Sequence, residues 1–127
     1  MRKTHMVCIV DDDEAIRLAT ADLVSSLGWD AYAFASAEEF LASACVEQTT
    51  CLISDVLMPG LSGLDLHNRL IELGCAPPTI LMTAVLSAVP PAEIQAKIKA
   101  NSIMALLEKP VDAAILAQYL ALISGGP

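Results

Sequence analysis

Five residues able to do chemistry stand at the ends of short apolar runs. Asp11 and Asp12 follow Met6 to Val10, and Asp55 follows Cys51 to Ser54. Thr83 closes the run that starts at Thr79, and Lys109 comes just after residues 103–107. Short apolar runs that stop abruptly at a polar group read as strands buried in a parallel sheet. In an open parallel sheet, ligands bind beyond the carboxyl ends of the strands. Side by side, these runs would bring three carboxylates, a hydroxyl and an ammonium to one rim. Clustered carboxylates repel, so they are stable together only with a cation. Oxygen ligands that leave room for water suit Mg²⁺. The ion would neutralise both the acids and an incoming phosphoryl group. One carboxylate could then act as nucleophile and form an acyl phosphate. Lys109 would serve as a point charge for one phosphoryl oxygen, and the Thr83 hydroxyl as a neutral hydrogen bond to another.

Each member alone has an ordinary explanation. An acid after a buried strand is often a helix cap, and that reading is favoured for Asp13. A threonine at a strand end is usually structural, and a lysine before proline is usually a solvated surface residue. The set is more specific than its members, because four separate strand ends all hold the group the chemistry needs.

The elements that must position these groups follow from the rest of the pattern. Residues 13–27 carry Ile16, Ala19, Leu23 and Leu27 at helical spacing, and Gly28 stands where a helix would end. A short strand is expected around Tyr32 to Phe34. Ser36 and Glu39 form a capping-box pattern ahead of Phe40 and Leu41. Pro59, Gly60 and Gly63 mark a loop before a helix over 64–73, which Gly74 stops. Pro90 and Pro91 suit the first turn of a helix over 93–100. Asp112 can cap a last helix with Ile115, Leu116, Tyr119, Leu120 and Ile123 on its apolar side. Strand and helix alternate about five times, which predicts an α/β fold: a doubly wound, five-stranded parallel sheet with helices on both faces. Residues 1–127 are expected to form one domain, with 124–127 as a frayed end or the stub of a linker.

Composition narrows the function classes. Hydrophobic residues make up 55% and charged residues 17%, which excludes a disordered chain. A net charge of −8 argues against direct nucleic-acid binding, which needs a basic face. No apolar run reaches the roughly 20 residues of a membrane span, and no signal peptide is visible. Cys8, Cys45, Cys51 and Cys75 form no CxxC pair and read as free thiols in a reducing cytoplasm.

Five segments carry a family resemblance: Ile9-Val10-Asp11-Asp12-Asp13, Ser54-Asp55-Val56-Leu57-Met58-Pro59-Gly60, Leu61-Ser62-Gly63, Ile80-Leu81-Met82-Thr83-Ala84 and Leu107-Glu108-Lys109-Pro110. In order and spacing they resemble the receiver domains of two-component response regulators. The resemblance implies a flavodoxin-like strand order 2-1-3-4-5. It implies that Asp55 accepts a phosphoryl group from a sensor histidine kinase. Asp12 and Asp55 would ligate Mg²⁺ directly, the Leu57 carbonyl would be a third ligand, and Asp11 would act largely through water. Thr83 would be the switch hydroxyl, and Lys109 the phosphate-binding lysine, aimed by a cis Lys109–Pro110 peptide. Such a domain is not an enzyme on external substrates; it catalyses only its own phosphorylation and dephosphorylation. The wording around Asp55 and the segment from Ser36 to Phe40 look closest to receivers that precede a helix-turn-helix output domain. The implied partners are the kinase and an output domain or partner protein that controls transcription, with a homodimer in the phosphorylated state. The implied compartment is the cytoplasm.

Departures from the family pattern are informative. Leu106 stands where an aromatic switch residue is usual, three positions before the lysine. The stretch 85–92 looks longer than usual. Leu57 and Val85 are apolar where polar residues commonly position the hydrolytic water, which implies a longer-lived phosphoryl group. Three alternatives compete. A phosphatase of the haloacid-dehalogenase class would need a second acid where Leu57 stands. A flavin-binding protein would need a Ser/Thr/Gly-rich phosphate loop where the acids Asp11 to Glu14 stand. A pseudo-receiver, an interaction module that works without phosphorylation, stays open as the main rival.

Overall fold

The computed structural model describes residues 5–84 and 92–123. Five strands form one sheet: β1 (Met6–Val10), β2 (Asp30–Phe34), β3 (Cys51–Asp55), β4 (Thr79–Thr83) and β5 (Ala105–Glu108). Their order is β2-β1-β3-β4-β5 and every pairing is parallel. Five α-helices connect and cover them: α1 (Glu14–Ser26), α2 (Ala37–Leu41), α3 (Gly63–Glu72), α4 (Ala92–Lys99) and α5 (Ala113–Ile123). The doubly wound α/β architecture and strand order expected from the sequence are both present.

The three central strands, β1, β3 and β4, are buried at every residue. This follows from helices on both faces: successive side chains point to opposite sides, and neither side reaches water. On one face Val7, Ile9, Ile53 and Met82 pack with Val24 of α1 and with Leu116 and Leu120 of α5. On the other, Cys8, Val10 and Leu52 pack with Phe40 of α2 and with Leu66 and Leu70 of α3. A smaller cluster joins Leu81 to Ile94 of α4, Val56 and Ile103, with Leu106 packed against it. Leu107 packs against the opposite cluster, so the Leu106–Leu107 pair is divided between the two faces.

Local chemistry sets the helix ends. The Asp13 carboxylate accepts from Ile16 N at 3.0 Å, the cap expected of it. Asp112 caps α5 in the same way, accepting from Ala114 N at 2.9 Å and Ile115 N at 3.1 Å. Gly28 has φ +93, a conformation that costs glycine little. Ser36 accepts from Glu39 N, but Glu39 Oε1 accepts from Ala35 N rather than from Ser36, one residue outside a true capping box. A complete box stands instead at Ser62 and Asp65, opening α3.

The structure departs from the sequence expectation in three places. In α1 the buried residues are Thr20 and Val24, and Ala19 is exposed. Thr20 can be buried because its hydroxyl donates to Ile16 O at 2.8 Å within the same helix. Strand β2 begins at Asp30, before Tyr32, because Asp30 pairs with Met6. Strand β5 begins only at Ala105. Ile103 is fully buried but its amide donates to Lys97 O, so it closes α4 rather than extending the sheet. Pro90, Pro91, Val85, most of the 85–92 stretch and the 124–127 tail lie outside the described residues. Among the described residues no helix is long and apolar enough to cross a membrane. All four cysteines are free, and burial pushes the Cys8 and Cys51 thiols up to about 11 and about 12.

Candidate functional site

The register of the sheet puts the chemically able residues on one rim. Val10 pairs with Ser54, Asp55 with Met82, and Thr83 with Glu108, so the strands end nearly level. Asp11, Asp12, Asp55 and Lys109 therefore emerge side by side. Carboxylate oxygens of Asp11, Asp12 and Asp55 all lie within 4.8 Å of one another. Asp11 and Asp55 are buried, and Asp12 is exposed.

Lys109 reaches back into this cluster. Its Nζ lies 2.9 Å from Asp11 Oδ2 and 3.0 Å from Asp55 Oδ2. The Lys109–Pro110 peptide is cis, as expected. The lysine backbone is tied as well: Lys109 N donates to Thr83 O at 2.8 Å. Thr83 is itself buried at the end of β4. Asp11 is held on three sides. Its amide donates to Phe34 O, its Oδ1 accepts from Asp13 N at 2.9 Å, and its carbonyl accepts from Arg17 Nη1 at 2.8 Å.

The electrostatics follow from this geometry. Burial raises the Asp55 pKa above the usual carboxylate value; Lys109 opposes that shift, and the Asp11 charge adds to it. Burial alone would lower Lys109, but the hydrogen bonds and charges of Asp11 and Asp55 outweigh it and raise its pKa. The ammonium is therefore firmly cationic between acids that repel each other.

The loop after Asp55 is fixed by the start of α3. Val56 N donates to Met82 O at 2.8 Å, and Gly63 N donates to Val56 O at 3.0 Å. Leu57 N reaches Asp55 Oδ1 at 3.4 Å, while Leu57 as a whole is 68% exposed. A Cβ on Gly63 would collide with the Asp55 carbonyl oxygen, so α3 can approach β3 only through a glycine here. No local sequence pattern marks this contact, since Gly63 reads as loop after Pro59 and Gly60, and none marks the part of Arg17. A cavity of about 570 Å³, lined by His67, Pro77, Pro78, Ser102 and Met104 among others, includes none of the clustered acids.

The acidic rim has the chemistry of a cation site. Its three clustered donors are carboxylate oxygens, the kind preferred by hard divalent ions. Asp11 Oδ2 is enclosed and has no polar partner besides the Lys109 ammonium, so it has coordinating capacity to spare. Asp12 is open to solvent and leaves an entry path. These residues fit Mg²⁺.

The sequence profile of the response regulator receiver domain matches residues 7–121. The chain belongs to that family. The transcriptional regulatory protein FixJ of Azorhizobium caulinodans is 38% identical over 122 residues, 95% of this chain and 56% of that protein. Nodulation protein W of Bradyrhizobium diazoefficiens is 41% identical over 78 residues, 61% of this chain and 34% of that protein. The chain thus spans from about a third to just over half of these curated relatives. The crystal structure of FixJ-N superposes with a TM-score of 0.78 at 27% identity, covering 98% of this chain and 96% of that one. This receiver domain is a signalling domain, of a class that works with histidine kinases and output domains and binds Mg²⁺ at an acidic pocket.

Proposed function

We propose that Asp55 is the phosphoacceptor and that it takes its phosphoryl group from the phosphohistidine of a sensor kinase. A carboxylate oxygen of Asp55 attacks phosphorus, the phosphorus–nitrogen bond breaks, and the imidazole leaves. The product is an acyl phosphate. Asp12, Asp55 and the Leu57 carbonyl would hold Mg²⁺, with Asp11 acting through water. When bound, the ion neutralises charge between the acids and the transferred oxygens. Lys109 would meet one phosphoryl oxygen, and the Thr83 hydroxyl another.

The observation that carries this reading is the single ammonium bridging two buried carboxylates at 2.9 and 3.0 Å. It is a charge balance that must be remade when the Asp55 carboxylate becomes an acyl phosphate. The tie from Lys109 N to Thr83 O would pass that change to the ends of β4 and β5. The face of α4 and β5, including Leu106, would then alter its binding to an output partner or to a second copy of the chain. The name of the Azorhizobium relative supports a transcriptional output. The compartment expected on this reading is the cytoplasm.

Intact mass after incubation with acetyl phosphate or phosphoramidate tests the proposal. The expected result is a gain of one phosphoryl group that needs Mg²⁺ and is absent in Asp55→Asn. A folded wild type that never gains mass would instead support the pseudo-receiver.

A further inference from the structure

We propose that Glu38, on α2, is a positioning residue for the loop that carries the Leu57 carbonyl, and so sets the affinity for the divalent cation; this rests on the metal reading above. The loop between β3 and α3 is anchored at its ends by backbone bonds from Val56 N to Met82 O and from Gly63 N to Val56 O. Its crest, 58–61, leaves the sheet altogether. There Leu61 N donates to Glu38 Oε2 at 3.1 Å, a contact between residues 23 apart in sequence. Gly60 has φ +78, and a Cβ there would strike the same carboxylate. The left-handed glycine thus both turns the chain and makes room for Glu38. Met58 and Leu61 pack on the cluster that contains Phe40, two residues along the same short helix. Helix α2 therefore grips the crest through one side-chain-to-backbone hydrogen bond and an apolar contact.

A carbonyl ligand has no rotamer of its own. It points where its backbone points, so a loop free to rock presents Leu57 O in the wrong direction part of the time. Holding the crest raises the population that can coordinate, and with it the apparent affinity. The Glu38 carboxylate bonds the crest of this loop, and its effect is expected to run through that hydrogen bond rather than through its charge.

The test uses Mg²⁺ alone, titrated into the chain and followed by amide nuclear resonance, alongside hydrogen exchange of the Leu61 amide and thermal unfolding. Glu38→Ala should weaken Mg²⁺ binding about three- to tenfold and speed Leu61 exchange in the metal-free protein, with little change in unfolding midpoint. Glu38→Gln keeps an acceptor oxygen and should stay within about twofold of wild type. Equal weakening in both variants would show that only the charge matters and would overturn the proposal. So would unchanged affinity in Glu38→Ala. A folded wild type that binds no Mg²⁺ would defeat the metal reading itself, a result visible before any Glu38 variant is made.

Discussion

Removing Lys109 should expose how far the resting site depends on one cation. Lys109 Nζ sits 2.9 Å from Asp11 and 3.0 Å from Asp55, and the three side chains are 11%, 0% and 10% exposed. Deleting one partner of a buried ion pair commonly costs about 3–5 kcal/mol, because the other charge is left unpaired and without water. Here part of that cost can be escaped, since Asp55 already has a raised pKa and can take up a proton. Asp11 is fully enclosed. The expected loss for Lys109→Ala in metal-free protein at neutral pH is therefore near the low end, about 3 kcal/mol, or about 10 °C in unfolding midpoint for a domain of this size. Lys109→Met keeps most of the stem and should lose nearly as much, which separates charge from packing. A divalent cation placed among the same carboxylates should return a large part of the deficit. Urea unfolding with a chelator and with saturating Mg²⁺ measures both quantities. A loss below about 1 kcal/mol in the chelated protein, or a loss that Mg²⁺ does not reduce, would refute this account of the site.

Four other substitutions probe the same structure. Asp55→Asn should stabilise the metal-free protein at neutral pH, because burial and Asp11 disfavour the charged carboxylate. Its raised folded pKa means that the native state holds this proton to higher pH than the unfolded chain. The wild type therefore loses stability as pH rises through that value, and its deficit against the variant should shrink as pH falls toward 3.8. His67 behaves in the opposite sense. It is buried, its Nε2 faces Ser102 O at 3.1 Å, and burial and the Lys97 charge lower its pKa below 6.5. Its contribution is present above 6.5 and lost as pH falls through the depressed value, so denaturant midpoints of wild type should drop on acidification more than those of His67→Gln. Gly63→Ala should cost about 1–3 kcal/mol, since the new methyl meets backbone at Asp55 that cannot give way. Gly74→Ala, with φ +76 but open space around it, should cost only about 1 kcal/mol in the same unfolding assay.

Much of the fold was legible because parallel strands buried on both faces leave continuous apolar runs. Met6–Val10, Cys51–Asp55 and Thr79–Thr83 each advertised itself this way, and each ended at a group with chemistry. The edge strands were harder to bound. Residues Asp30 and Ala31 belong to β2 through pairing with β1, which no local pattern marks. At the other edge Ile103 reads as strand because it opens an apolar run, yet its amide serves the end of α4. In α1 Leu23 and Leu27 pack against the core as their spacing suggested, but Ala19 is exposed and the buried positions are Thr20 and Val24. A threonine that satisfies its own hydroxyl within the helix can be buried without appearing hydrophobic. The site acids and lysine were readable from type and position. The bond from Leu61 to Glu38 and the closeness of Gly63 to Asp55 were not, because both depend on how separate elements approach one another.

The resting geometry also constrains how a signal could leave this site. Lys109 is shared, not dedicated: one ammonium faces Asp11 and Asp55 at nearly equal distances. Under the proposed chemistry, a phosphoryl group on Asp55 adds oxygens that compete for that ammonium, so its side chain must move outward from Asp11 or along with Asp55. Its backbone cannot follow freely, because Lys109 N is bonded to Thr83 O. The strain of that rearrangement falls on the ends of β4 and β5. There Leu106 is only partly buried, against Leu81, Ile94 and Ile103. Leucine has no ring to swing between inward and outward positions. A switch at this place would have to work through small shifts of the cluster that seats α4, rather than through the exposure of one large side chain. That distinction is measurable: a phosphorylated domain should then show chemical-shift changes spread over Leu81, Ile94, Ile103 and Leu106. Changes confined to Leu106 would contradict it.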